Sequence, residues 1–303
     1  MPIGLITLLV ALSPLVWGST YLVTTEWLPA NSPFWAAAIR TLPAGLLLVL
    51  WSWHLPKRGE WLKLLALAIL NIACFQTLLF IAAYRLPGGI AALIGSIQPV
   101  LVMLFIWFVQ SIRPAGQTVL ASLFAILGMY LLLNAPGEAW DIWGGLAAFL
   151  GAISMAVGSF LTRHWQLQMP LLALTGWQLF LGGTILLPVA LVSEPVPWPL
   201  STEQLYAYLY LSLVGTLITY ALWFYGLKKL NTVAVSALGL LSPVMAVALG
   251  WLILNQSLSD QGITGMTLVL ISVLAMQWFQ TSNQENKPST TQKIRNLPHE
   301  KLH

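Results

Sequence analysis

Apolar stretches of about twenty residues recur along the chain, separated by short polar or turn-rich breaks. They fall at 4–25, 33–53, 62–83, 88–110, 116–135, 142–162, 170–191, 204–226, 231–254 and 261–280. Each is long enough to cross the hydrocarbon core as a helix, which takes about 20 residues. Turn chemistry marks several breaks: Pro29-Ala30-Asn31-Ser32-Pro33, Asn134-Ala135-Pro136-Gly137 and Pro195-Val196-Pro197-Trp198-Pro199. The pattern predicts an all-α polytopic membrane protein with ten transmembrane helices. The first stretch has no Lys or Arg before it and belongs to a repeat described below, so it reads as a retained span rather than a cleaved signal. Residues 281–303 are polar and read as a disordered tail.

Composition leaves no soluble alternative. Charged residues make up 7% of 303 and hydrophobic ones 58%, with a mean hydropathy of +0.82, against about 25% charged in an average soluble protein. Soluble enzymes and nucleic-acid binders are excluded. The few charges are placed unevenly. With the N-terminus in the cytoplasm and ten alternating spans, the inner side receives Lys57, Arg58, Lys63, Arg113, Arg163, Lys228, Lys229 and the tail cations Lys287, Lys293, Arg295 and Lys301. The outer side receives Arg85 alone. That asymmetry places both termini in the cytoplasm and the chain in a bacterial-type inner membrane. Trp27, Trp35, Trp140, Trp143 and Trp198 then mark the outer interface, and Trp51, Trp53, Trp61, Trp165 and Trp278 the inner one.

The chain also matches itself at a shift of 144 residues. Leu86, Gly95, Pro99, Val100, Trp107 and Gln117 fall on Leu230, Gly239, Pro243, Val244, Trp251 and Gln261 without a gap. Gly18-Ser19 falls on Gly158-Ser159, and Gly45 on Gly182, with small gaps. The units are residues 1–137, residues 138–280 and the tail 281–303. Five spans per unit is an odd number, so the second unit enters the membrane inverted, as in many secondary transporters whose site lies at mid-membrane between the halves.

The stretch Gly215-Thr216, Tyr220-Ala221-Leu222-Trp223-Phe224-Tyr225-Gly226-Leu227 and Leu241-Ser242-Pro243-Val244 resembles the EamA-type drug/metabolite transporter superfamily, as does Val16-Trp17-Gly18-Ser19-Thr20 for its first span. The likeness covers roughly residues 4–280 and is nearest to PecM-like bacterial exporters. It implies a ten-helix inverted-repeat exporter of amino acids, metabolites, pigments or drugs. Arg40 sits where such proteins often carry an arginine, and Asn255-Gln256 stands where they often have Gly-Glu.

Candidate functional residues follow from depth and chemistry. Pro99 and Pro243 lie mid-span at matching repeat positions, and each frees a carbonyl four residues back, at Gly95 and Gly239. These four are the expected hinge. Arg40 is the one ionisable residue deep in a predicted span, where insertion costs roughly 2.5–3.5 kcal/mol unless the group is paired. Polar and aromatic groups at similar depth complete the expected substrate pocket: Trp17, Ser19, Tyr21, Asn71, Gln76, Gln98, Trp177, Tyr220, Trp223 and Ser242. Small residues such as Gly144, Ala148, Gly151, Ala152 and Gly158 read as helix packing. Cys74 is the single cysteine, and His54, His164, His299 and His303 all fall in loops or the tail. No metal site, cofactor or catalytic group is therefore expected. The partners expected are a small-molecule substrate and the lipid bilayer, with the protein a monomer or weak homodimer. A membrane-embedded lipid or isoprenoid enzyme, or a sensor without transport, is the alternative to a transporter.

Overall fold

The computed structural model describes residues 1–86, 91, 94, 95, 97–133, 141–253 and 260–285, and among these all regular structure is helical. Helix α1 runs Ile3–Trp27 and α2 Pro33–Ser52. Helix α3 spans Arg58–Arg85 and contains a π segment, Ile69–Cys74. Then come α4 (Gln98–Gln110), α5 (Gly116–Leu133), α6 (Ile142–Trp165) and α7 (Leu171–Ser193). Helix α8 spans Thr202–Lys229 with a second π segment, Leu213–Ile218. Helix α9 comes in two pieces, Thr232–Leu238 and Leu241–Ile253, and α10 runs Asp260–Glu285. Among the described residues seven helices are long and apolar enough to cross a membrane, and shorter apolar helices cover 98–110, 116–128 and 260–276. Ser96, the turn 134–137, Trp140, Asn255-Gln256 and the tail from 286 onward lie outside the described residues.

Two expected spans differ in a way the prolines explain. The stretch 231–254 is not one helix but breaks at Gly239-Leu240. Pro243 has no N–H to offer the Gly239 carbonyl, and the amide of Ser242 takes it instead at 3.0 Å. The amides of Gly239 and Leu240 likewise bond three residues back, to Ser236 and Ala237. In the stretch 88–110, residues 91, 94 and 95 are helical, the amide of Ile97 bonds three residues back to Ile94 at 3.4 Å, and α4 begins at Gln98 with Pro99 in its first turn. Proline costs nothing there, since a first-turn N–H has no intrahelical partner anyway. Both prolines thus begin a helix rather than bend one, and the Gly239 carbonyl expected to be free is bonded.

Glycines set how closely the helices approach. A Cβ on Gly45 of α2 would strike the backbone of Phe180 on α7, and one on Gly183 of α7 would lie 2.7 Å from Leu42. On α1, Gly18 would meet the Ser242 carbonyl at 2.5 Å, beside the break in α9. Without a hydrophobic drive between helices in lipid, such close van der Waals packing is the main attraction. Helices α5 and α10 pack on each other through Gly128, whose Cβ would sit 2.9 Å from the Gly265 carbonyl. Trp35, expected at the outer interface, is buried, whereas Trp27, Trp143 and Trp198 are exposed.

Two outcomes follow. Gly45→Ala forces a backbone shift, and overpacking of this kind costs about 1–3 kcal/mol. It should lower the melting temperature in detergent, while Gly59→Ala, which meets open space, should not. Asp141 caps α6, accepting from the amides of Trp143 (2.8 Å) and Gly144 (3.1 Å), and pairs with Arg85 at 3.0 Å. The Gly144 amide first, then Arg85 and the Trp143 amide, hold its carboxyl below the usual carboxylate range. A depressed folded-state pKa stabilises the fold above the unfolded value, and that contribution is lost as pH falls through the folded one. Asp141→Asn should therefore lower thermal stability at neutral pH and leave it unchanged in acid.

Candidate functional site

Helices α1, α2, α3, α4, α6, α8 and α9 enclose a cavity of about 110 Å³. Among the described residues α5, α7 and α10 contribute nothing to its lining. The geometry begins with the two π segments. A π turn widens the ladder to five residues and leaves a carbonyl for other donors. In α8 that carbonyl is Gly215, which accepts from Arg40 Nη2 (2.7 Å), Trp17 Nε1 (3.1 Å) and Thr219 Oγ1 (2.8 Å). Arg40 Nε also donates to Thr216 Oγ1 at 2.8 Å. In α3 the Leu70 carbonyl accepts from Ser154 Oγ at 2.8 Å. Asn71 donates to Gln178 Oε1 (2.8 Å) and Thr162 Oγ1 (3.2 Å).

The two π segments lie 144 residues apart at both ends. Each is followed by a cavity residue: Gln76 on α3 and Tyr220 on α8. Gln76 Nε2 donates to the Tyr220 hydroxyl at 2.7 Å, again across 144 residues. The ring of Trp17 lies 5.2 Å from that of Tyr220 and 5.0 Å from that of Trp223, which forms an aromatic wall. Arg40 is 1% exposed, with its guanidinium carbon 5.8 Å from the centre of the Phe80 ring. Two of its nitrogens are bonded to α8, and the third, Nη1, has no protein partner.

Of the residues expected in a pocket, Trp17, Tyr21, Arg40, Gln76, Gln98, Tyr220, Trp223 and Ser242 line this cavity. So do the expected hinge residues Gly95, Pro99, Gly239 and Pro243. Three others stand elsewhere. Ser19 bonds the Val16 carbonyl and the Tyr210 hydroxyl, both at 2.7 Å. Asn71 is spent on the helix contacts above, against Gly158. Trp177 donates to the His54 carbonyl at 2.8 Å and packs on Trp61. Sequence reasoning missed Ser236, a buried hydroxyl on the cavity wall. Its counterpart at the 144-residue shift is Ala92, so the repeat carried no sign of it. Ala148, Gly151 and Ala152, read as packing, also form cavity wall. Their small side chains make the room.

The profile of the EamA-like transporter family matches residues 4–134 and 142–278. The chain belongs to that family, within the drug/metabolite transporter superfamily. It is therefore a membrane transporter, with two copies of the family unit. It is 41% identical over 267 residues to protein PecM of Dickeya dadantii (strain 3937), covering 88% of this chain and 90% of that one. Similarity extends to the WAT1-related protein At3g02690, chloroplastic, of Arabidopsis thaliana, at 29% identity over 85% of this chain and 66% of that one. It extends also to the uncharacterized inner membrane transporter YedA of Escherichia coli K12, at 25% identity over 86% and 84%. One crystal structure superposes with a TM-score of 0.77 over 93% of this chain and 99% of its own, at 20% identity, which speaks to the fold alone.

Arg40→Lys tests the clamp. A lysine presents one ammonium where the guanidinium forks to two acceptors, and a lost bond from a charged donor costs roughly 1.5–3 kcal/mol. The melting temperature of the purified protein should fall, and by more than for Ser19→Ala, whose hydroxyl makes uncharged bonds near a partly exposed site.

Proposed function

We propose that this transporter exports small organic solutes across a bacterial-type inner membrane, by alternating access between two inverted five-helix halves with both termini in the cytoplasm. Direction and membrane are carried over from the family resemblance and the asymmetry of basic residues. The observation that carries the mechanism is the Gln76–Tyr220 bond. Residues at equivalent positions of two repeats meet only near the axis that relates the repeats. The cavity surrounds this pair, which is where such architectures hold their solute. The equal spacing of the π segments supports the same symmetry. Ten spans, in this reading, consist of the seven long helices and the three shorter ones.

The breaks before Pro99 and Pro243 border the cavity from both halves, so a change of angle at either opens or closes it. Polar backbone off the α ladder is tolerated at this depth where protein or a cavity satisfies it. A cavity of about 110 Å³ is smaller than the ~150 Å³ apolar void that takes a benzene ring. An aromatic solute therefore needs more room than the cavity has in this conformation.

The direct test is flux. Proteoliposomes loaded with labelled aromatic amino acids or aromatic carboxylates should show saturable, protein-dependent counterflow. Absence of flux for the whole panel would overturn the transport mechanism. Pro99→Ala and Pro243→Ala let helix continue across the breaks, and each should slow flux severalfold with little change in melting temperature, since hinge residues act on the conformational step. Energy coupling makes a further test. A proton-driven carrier needs a group that changes protonation within the pathway, and Glu26, at the exposed end of α1, is no part of the cavity lining. Solute should equilibrate along its own gradient. Uphill accumulation under an imposed pH gradient, abolished by Glu26→Gln, would show the opposite.

A further inference from the structure

We infer that the cavity takes an organic anion, a carboxylate on a flat apolar body, and rejects amines. This rests on the transport reading above and names its solute class.

Five buried polar atoms on the cavity wall have no partner within the protein: Arg40 Nη1, Trp223 Nε1, Gln98 Nε2, Gln76 Oε1 and Ser236 Oγ. They differ in what they can offer. A guanidinium and an indole N–H are donors in every state, whereas an amide or a hydroxyl presents either sense. The obligate groups are therefore all donors. No carboxylate lines the cavity among the described residues, so no anion there balances the Arg40 charge or pairs with an ammonium, which would meet only neutral acceptors such as Gln76 Oε1 and Ser236 Oγ.

An amine entering this space would set a second positive charge beside the guanidinium, where like charges repel far more strongly than in water. A carboxylate does the reverse. It accepts at about four lone-pair positions, neutralises the guanidinium, and forms charge-assisted bonds roughly twice as strong as neutral ones. Arg40 is also preset for this task. Its Nε and Nη2 are fixed on Thr216 and Gly215, so Nη1 is held in place before the solute arrives and little rotamer freedom is lost on binding. Trp223 Nε1 and Gln98 Nε2, buried without a partner, supply two further donors for oxygens on the solute. The rings of Trp17, Tyr220 and Trp223, with centroids 5.0–5.2 Å from Trp17, suit a planar body by offset or edge packing.

The test uses three probes of one shape: benzoate, benzamide and benzylamine, titrated into the purified full-length protein by tryptophan fluorescence and thermal shift. Benzoate should bind about tenfold tighter than benzamide, the difference between a charged and a neutral hydrogen bond, and benzylamine should leave both signals flat. Trp223→Phe keeps a ring but removes the N–H, and Gln98→Leu removes the amide. Each should weaken benzoate severalfold while benzamide and benzoate converge. Benzylamine binding as tightly as benzoate, or no preference among the three, would overturn the inference in the wild-type protein alone, whether or not a variant folds. Counterflow separates this from failure of the transport reading. Flux of benzylamine or zwitterionic amino acids without flux of benzoate would sink the solute class and leave transport standing. Selective benzoate binding without flux of any solute would do the converse.

Discussion

In a bilayer, a main-chain carbonyl that leaves the α ladder has no water to turn to and must find a donor inside the protein. Gly215 is where this constraint bears hardest. Its carbonyl, freed by the π segment of α8, takes donors from α1, α2 and α8 itself. Trp17 and Arg40 meet at that atom, with the Thr219 and Thr216 hydroxyls as their second acceptors, and both line the cavity. The charge of Arg40 is tolerable at this depth because carbonyl, hydroxyl and the Phe80 ring surround it. One backbone irregularity thereby places an aromatic wall and a cation together.

The same logic extends to the other irregular segments. The π segment of α3 is met by Ser154, and its Asn71 by Gln178 and Thr162, while the break in α9 closes on itself through three-residue bonds. Glycine contacts frame these segments: α2 against α7 at Gly45 and Gly183, α1 against α9 at Gly18. Close-packed glycine seams resist deformation, whereas turns bonded three residues apart can lengthen at small cost. The close-packed helix pairs and the two proline breaks meet around the cavity, which Gly95, Pro99, Gly239 and Pro243 line. Among the described residues the α5–α10 pair contributes nothing to the lining.

Much of this was legible in the chain. Long apolar runs predicted the helices to within a few residues for most spans, because hydrocarbon thickness sets their length. The 144-residue match at Gly95/Gly239 and Pro99/Pro243 pointed to the breaks, since proline's missing N–H is a local property. It could not say that both prolines open a helix instead of bending one, which depends on which neighbouring amides take up the slack. Of the polar candidates, Ser19, Asn71 and Trp177 have the same chemistry and similar depth as those on the cavity wall. Their side chains face other helices, and rotation about a helix axis is set by packing partners.

By itself, then, the sequence determined that the chain is a helical membrane protein in two related copies, with a buried arginine and paired proline breaks. Those properties follow from composition, length and local backbone chemistry. Only the tertiary structure decided that Gln76 meets Tyr220, that Arg40 reaches Gly215, and that Ser236 and the small face of α6 form cavity wall. Those depend on contacts between residues tens to nearly two hundred positions apart. The π segments belong here too. No local pattern at 69–74 or 213–218 announces them, because a widened turn is stable only where donors from other helices are waiting for the carbonyl it releases.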